Sequence, residues 1–147
     1  MKFVIQEDGS ITAGTVVYVK SDYAFTFEPV QSASYTILVN DLNISFDWNM
    51  YAKQVWGYNP YGGWVTKDLT IPTAIKGKLV LASEVDEIKR LDGTKEWVTY
   101  FDGKKGWCCI GDETCGVEDK AIEFASNTIA VLRGDYLKAV WLKPIFR

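Results

Sequence analysis

Between Ile44 and Met50 apolar and polar residues alternate without a break: Ile44, Phe46, Trp48 and Met50 share one side, and Ser45, Asp47 and Asn49 the other. A period of two sustained over this length matches a half-buried strand and not a helix, whose apolar positions recur every three or four residues. Tyr35, Ile37 and Val39 repeat the pattern upstream, and Asn40, Asp41 and Asn43 supply a turn between the two runs. The alternation expects a hairpin here, with Trp48 in the core. Further runs rich in β-branched and aromatic residues cover Phe3–Ile5, Thr15–Val19, Tyr23–Phe27, Lys78–Leu81, Trp97–Phe101, Trp107–Ile110, Thr128–Leu132 and Tyr136–Leu142.

Turn chemistry separates these runs. Asp8-Gly9, Asp92-Gly93 and Asp102-Gly103 tolerate the positive φ that tight hairpins need, and Gly134-Asp135 is placed to do the same. Pro29, Pro60, Pro72 and Pro144 stand at the ends of runs or in turns, where a missing N–H breaks no ladder. Two segments support either a helix or a strand. Ser83–Leu91 has Val85, Ile88 and Leu91 three apart with a capping-box spacing from Ser83 to Asp86, and Val117–Ala125 opens with Glu118 and Asp119. No repeat or linker divides the chain. The expected fold is mainly β: a single-domain antiparallel barrel or sandwich over residues 1–147, built from hairpins, with up to ten short strands and at most one or two short helices.

At 147 residues such a chain can bury a sizeable core. Its net charge of −3 and the lack of clustered Lys and Arg argue against nucleic acid, because Lys89-Arg90 and Lys104-Lys105 are isolated pairs. The opening residues carry too short an apolar run for a secretory signal, and no run approaches the roughly 20 apolar residues of a membrane helix. A cytoplasmic location without membrane contact is the expectation. Three cysteines clustered at Cys108, Cys109 and Cys115 do not form a secreted disulfide framework. They read as reduced, buried packing thiols. A bond from Cys108 or Cys109 to Cys115 is the pairing open to them on oxidation.

The chain contains no histidine, which removes histidine-based triads, imidazole zinc sites and imidazole proton shuttles. Carboxylates remain. Asp112, Glu113, Glu118 and Asp119 cluster, and Asp47 lies beside an aromatic run, so a paired-carboxylate hydrolase is a conceivable chemistry. The cysteine spacing lacks the two-residue gap that lets thiolates chelate one zinc ion, and nothing in the chain calls for a cofactor.

The densest aromatic stretch holds Trp48, Tyr51, Trp56, Tyr58, Tyr61 and Trp64 within residues 47–64. Its second half is interrupted by Gly57, Asn59, Pro60, Gly62 and Gly63 and reads as a loop or hairpin tip. Trp56, Tyr58, Tyr61 and Trp64 are therefore the candidate ligand- or partner-binding residues. The competing reading folds the same rings over an open end of the core.

Three function classes follow. The first is a non-catalytic interaction protein of inhibitor or immunity type that docks a protein partner. The second is a small-ligand or carbohydrate-binding β domain. The third is an enzyme dependent on carboxylates or a thiol. Self-association is left open.

Overall fold

The computed structural model describes residues 1–84 and 88–147. The chain is mainly β, with fifteen strands and two single 3-10 turns among these residues. One sheet runs β1 (Phe3–Glu7), β8 (Ile75–Leu81), β12 (Asp119–Ala125), β13 (Thr128–Arg133), β14 (Tyr136–Leu142), β11 (Trp107–Gly111), β10 (Thr99–Asp102) and β7 (Val65–Thr66). The other runs β15 (Ile145–Phe146), β2 (Thr15–Val19), β3 (Ala24–Glu28), β6 (Ala52–Tyr58), β5 (Leu42–Phe46), β4 (Tyr35–Val39) and β9 (Ile88–Arg90). They pack as a sandwich. Among the described residues, no helix is long and apolar enough to cross a membrane.

Alternation explains the main core. Phe25 and Phe27 of β3, Ile37 and Val39 of β4, Leu42, Ile44 and Phe46 of β5 and Val55 of β6 all face inward. Opposite them stand Leu79 and Leu81 of β8, Ile122 and Phe124 of β12, Leu132 of β13, and Val140 and Leu142 of β14. β13 and β14 do not alternate, because both of their faces are covered. On the outer side of that sheet, Leu69, Ile71 and Ala74 from the segment before β8 lie over Cys109, Ile129, Val131, Ala139 and Trp141. Cys108 faces the main core and Cys109 this second one, as adjacent strand positions must.

The turn signals divide by outcome. Asp102-Gly103 lies in the β10–β11 hairpin, Gly134-Asp135 closes β13–β14, and Asn40, at φ 55°, turns β4 into β5. Asp8-Gly9 and Asp92-Gly93 instead follow strands whose successors lie in the opposite sheet, so they mark crossings between layers. Those crossings bring sequence-distant strands together. Among the strands of the described residues, four pairings are parallel: β8 with β12, β7 with β10, β4 with β9 and β2 with β15.

Several local expectations are corrected. β5 ends at Phe46, where the Asp47 carboxylate accepts the N–H groups of Asn49 and Tyr51 at 2.9 and 3.0 Å. This Asx-type turn ends the alternation, and Trp48 is 77% exposed instead of core. The supposed loop beginning at Val55 is in its first part strand β6, central in its sheet. The 117–125 segment, open between helix and strand in the sequence, is strand over Asp119–Ala125. In the 83–91 segment Ile88–Arg90 is the edge strand β9, and the helical alternative rested on Val85 and on Asp86, which lie outside the described residues.

Gly57 shows how tightly β6 fits. Its φ is +136°, and a Cβ there would stand 2.8 Å from the Asp41 carbonyl and 2.9 Å from Asn43 Nδ2. Gly62 has open space around it. Urea denaturation should show Gly57→Ala losing about 1–3 kcal/mol from backbone strain and overlap, with Gly62→Ala within about 0.5 kcal/mol of the parent. Equal effects would remove the close approach at Gly57.

Candidate functional site

The four candidate rings separate onto two surfaces. Trp56 and Tyr58 occupy the outer face of β6, 42% and 53% exposed, while Val55 and Gly57 between and beside them point inward. The indole N–H of Trp56 donates to Ser45 Oγ at 2.9 Å, which holds the ring against β5. Beyond Tyr58 the chain turns at Asn59-Pro60 and enters a 3-10 turn over Tyr61–Gly63. Tyr61 stays 47% exposed, but Trp64 turns back into the molecule.

Trp64 closes one open end of the sandwich. Its ring centroid is 4.8 Å from Tyr18 of β2, 5.3 Å from Phe101 of β10, 5.9 Å from Phe25 of β3 and 6.3 Å from Phe146 of β15. The plug thus draws rings from both sheets. A buried polar network holds it in place. The Tyr18 hydroxyl donates to the Asn59 carbonyl at 2.7 Å and accepts the Tyr61 N–H at 3.0 Å. Asn59 Nδ2 donates to Thr99 Oγ1 at 2.9 Å, and its Oδ1 accepts the Trp64 indole N–H. Burial raises the Tyr18 phenol above its ordinary value, so it remains a neutral donor.

Around this plug the surface is aromatic. Tyr23, in left-handed conformation at φ 53°, stacks on Tyr61 at 5.7 Å with 23° between the planes. The Tyr23 carbonyl accepts the Asn59 N–H at 2.7 Å, which ties the two turns together. Phe146, half exposed, lies 5.7 Å from Phe101, and the Lys20 ammonium stands 5.8 Å over its ring. A cleft of about 350 Å³ opens among Tyr18, Tyr61, Trp64, Phe101 and Phe146, with Lys20 and Thr66 at its sides. A second groove of about 390 Å³ runs beside Trp56, lined by Phe27, Val30, Ala33 and Gln54 among others.

Sequence reasoning named Tyr61 and Trp64 in this cleft but missed Tyr18, Tyr23, Phe101, Phe146 and Lys20. These come from strands and turns far apart in the chain, with no spacing that links them. Only an aromatic residue at an inward position near a strand end hinted at Tyr18. Trp48, although highly exposed, sits on the β5–β6 turn, at the opposite end of those strands from Tyr58.

The carboxylates and thiols are arranged otherwise. Asp119 accepts Arg133 Nε at 2.8 Å, Lys138 Nζ at 2.5 Å and the Gly116 N–H at 2.7 Å. Those partners, Arg133 first, hold its carboxyl well below the ordinary range. Lys138 is itself buried and also bonds the Thr114 carbonyl at 2.7 Å, with Asp112 at 3.6 Å. Glu113 is bound by Lys67 at 2.6 Å and is likewise lowered, chiefly by that bond. Asp47 is occupied as a turn cap. Carboxylates tuned in this direction are acceptors already in use, whereas a general acid needs a raised pKa. Among the described residues no group of three or more Cys, Asp or Glu is gathered to hold a metal ion. Burial pushes the Cys108 and Cys109 thiols far up. Cys115, expected to be buried, is exposed, because it lies in the irregular segment between β11 and β12.

Compared with protein-family models, curated proteins and solved structures, the chain matches none.

Two solution measurements follow. Asp119, Asp102 and Asp112 all have carboxyls lowered from 3.8, and Asp8, paired with Lys78, is lowered to about 2. A folded pKa below the unfolded one gives stability that is present above pH 3.8 and is lost as pH falls through the folded value. Urea midpoints should therefore hold steady from about pH 5 to 8 and fall below about pH 4, as carboxylates protonate. Asp119→Asn should cost on the order of 2 kcal/mol at neutral pH, because Lys138 loses its nearest charge. A midpoint unchanged by acid would contradict the ion network. Separately, a thiol reagent such as DTNB should label one cysteine, Cys115, in the native protein and all three after unfolding. Native labelling of two or more would place Cys108 or Cys109 at the surface.

Proposed function

We propose that this chain is a non-catalytic binding protein that docks a protein partner on the aromatic end of its sandwich. One observation carries the reading: exposed Tyr61 and Phe146 line a cleft floored by Tyr18, Trp64 and Phe101, and exposed Tyr23 stacks on Tyr61 beside it. Exposed rings held by hydrogen-bonded backbone meet a partner with little loss of side-chain freedom, and Tyr and Trp dominate interface energetics for that reason. The free thiols suit a reducing compartment such as the cytoplasm. An inhibitor or immunity role fits a small acidic β protein by type. Lys20, the charged side chain of the cleft, favours a neutral or acidic contact over a basic one.

The groove beside Trp56 supports a second reading, a small-ligand or carbohydrate site. Its indole plane is pinned through Ser45, and the volume falls within the usual range for small-ligand pockets.

Pull-down with the immobilised protein from its native host tests the first reading. Tyr58→Ala combined with Tyr61→Ala removes two exposed rings without touching the Tyr18–Asn59–Trp64 network. This variant should lose a stoichiometric partner and weaken its binding by about 30-fold or more. Trp48→Ala, an exposed ring at the other end of the strands, should retain it. Full recovery by the tyrosine double variant would remove the aromatic end as the interface. Quenching of tryptophan fluorescence by a glycan, lost in Trp56→Phe, would instead support the groove.

A further inference from the structure

The aromatic cleft lies between two unfinished sheet edges. β7 ends one sheet and β15 the other, and Thr66 and Phe146 from those strands both line the cleft. The backbone register shows where their polar groups point. The Arg147 N–H donates to the Tyr18 carbonyl at 2.9 Å, and the Arg147 carbonyl accepts the Lys20 N–H at 3.1 Å. Backbone polar groups alternate sides along a strand, so Phe146 turns its own N–H and C=O away from β2. At the other edge, the Lys67 N–H donates to the carbonyl of Phe101, the residue paired with Thr66, at 3.0 Å. By the same alternation Thr66 turns its N–H and C=O away from β10. Each edge therefore offers a donor and an acceptor beside the ring cluster.

Side-chain phase agrees with backbone phase. Phe146 pairs with inward-facing Tyr18, and Thr66 pairs with Phe101, which packs on the core. A strand laid beside Phe146 would send alternate side chains into the cleft and the intervening ones outward, on the side of Ile145. Charge adds a third constraint. Lys20 stands over the Phe146 ring and takes part in no ion pair among the described residues.

We infer that the cleft binds an extended segment of a partner protein by strand addition. An apolar or aromatic side chain of the segment enters the ring cluster, and an acidic side chain meets Lys20. This rests on the partner-docking reading and gives the form of the partner. Both edge strands are two residues long, which limits unspecific pairing, so recognition depends on the side chain in the cleft as much as on the backbone.

The probe is a phage-displayed library of random linear peptides panned on the intact protein, followed by calorimetry on the enriched sequences. Enriched peptides should share an apolar or aromatic residue with Asp or Glu nearby. Methylating successive peptide amides should weaken binding about tenfold at an amide that donates to the Phe146 or Thr66 carbonyl and little at the others. The Phe146 and Thr66 amides should gain hydrogen-exchange protection, and Lys20→Glu should weaken acidic peptides several-fold. Failure to enrich any sequence, or protection confined to other amides, overturns the inference. So does sedimentation showing that a second copy of the chain already covers these edges. A flat methylation scan with partner capture still lost in the Tyr58/Tyr61 variant keeps aromatic docking and overturns strand addition. A scan with such discrete sensitive amides and capture unaffected by that variant supports strand addition and removes the outer tyrosines from the interface.

Discussion

Each of the two sheets is apolar on the face it turns to the other, and burying those faces together is the condition on which the rest of the fold depends. Phe25, Phe27, Ile44 and Phe46 of one sheet share a single buried cluster with Leu79, Ile122, Phe124 and Val140 of the other. At roughly 1.5–3 kcal/mol for each large side chain removed from water, no hydrogen bond or ion pair in the molecule compares with the sum. The chain crosses repeatedly between layers to achieve it, and these crossings create the parallel pairs that hairpins alone would not. The same requirement explains the cover formed by Leu69, Ile71 and Ala74. β13 and β14 are apolar on both faces, so their outer face needs a layer of its own.

A sandwich has open ends, and one end is closed here by rings instead of a helix. Trp64 fills the gap between the sheets, held by a network from Tyr18 to Asn59 to Thr99 that joins β2 to β10. The rings outside that plug are a continuation of the same cluster that water still reaches. Core closure and exposed surface are thus graded along one set of aromatic contacts: Trp64 within, Phe146 and Tyr61 at the boundary, Tyr23 outside. That gradation ties the exposed rings to the core without a separate scaffold.

Ionisable groups in this protein are largely committed to structure. Asp119 joins Arg133 and Lys138, Asp102 accepts three backbone N–H groups from two loop segments, and Asp47 caps a turn. Among the described residues, Asp8, Asp102, Asp112, Glu113 and Asp119 all have lowered carboxyls, the direction of an acceptor already bonded. With histidine absent from the chain, these carboxylates and the cations they pair with are its main ionisable groups, and they serve the fold.

Strands were legible from alternation in Tyr35–Val39 and from β-branched and aromatic runs in Thr15–Val19 and Tyr136–Leu142, all of which appear within their expected bounds. The mainly β class followed from that local period alone, because side-chain direction in a strand is set by neighbouring residues. The same rule misplaced Trp48, since the Asp47 carboxylate cap ended the strand at Phe46, and it hid β6, whose β-bulge and Gly57 disguise the period. Of the site, the sequence determined only that Trp56, Tyr58, Tyr61 and Trp64 are concentrated on turn-rich chain. Tertiary structure decided which of them plug and which are exposed. It also added Tyr18, Phe101 and Phe146 from strands of both sheets, because proximity across a sandwich is set by sheet order and leaves no spacing to read.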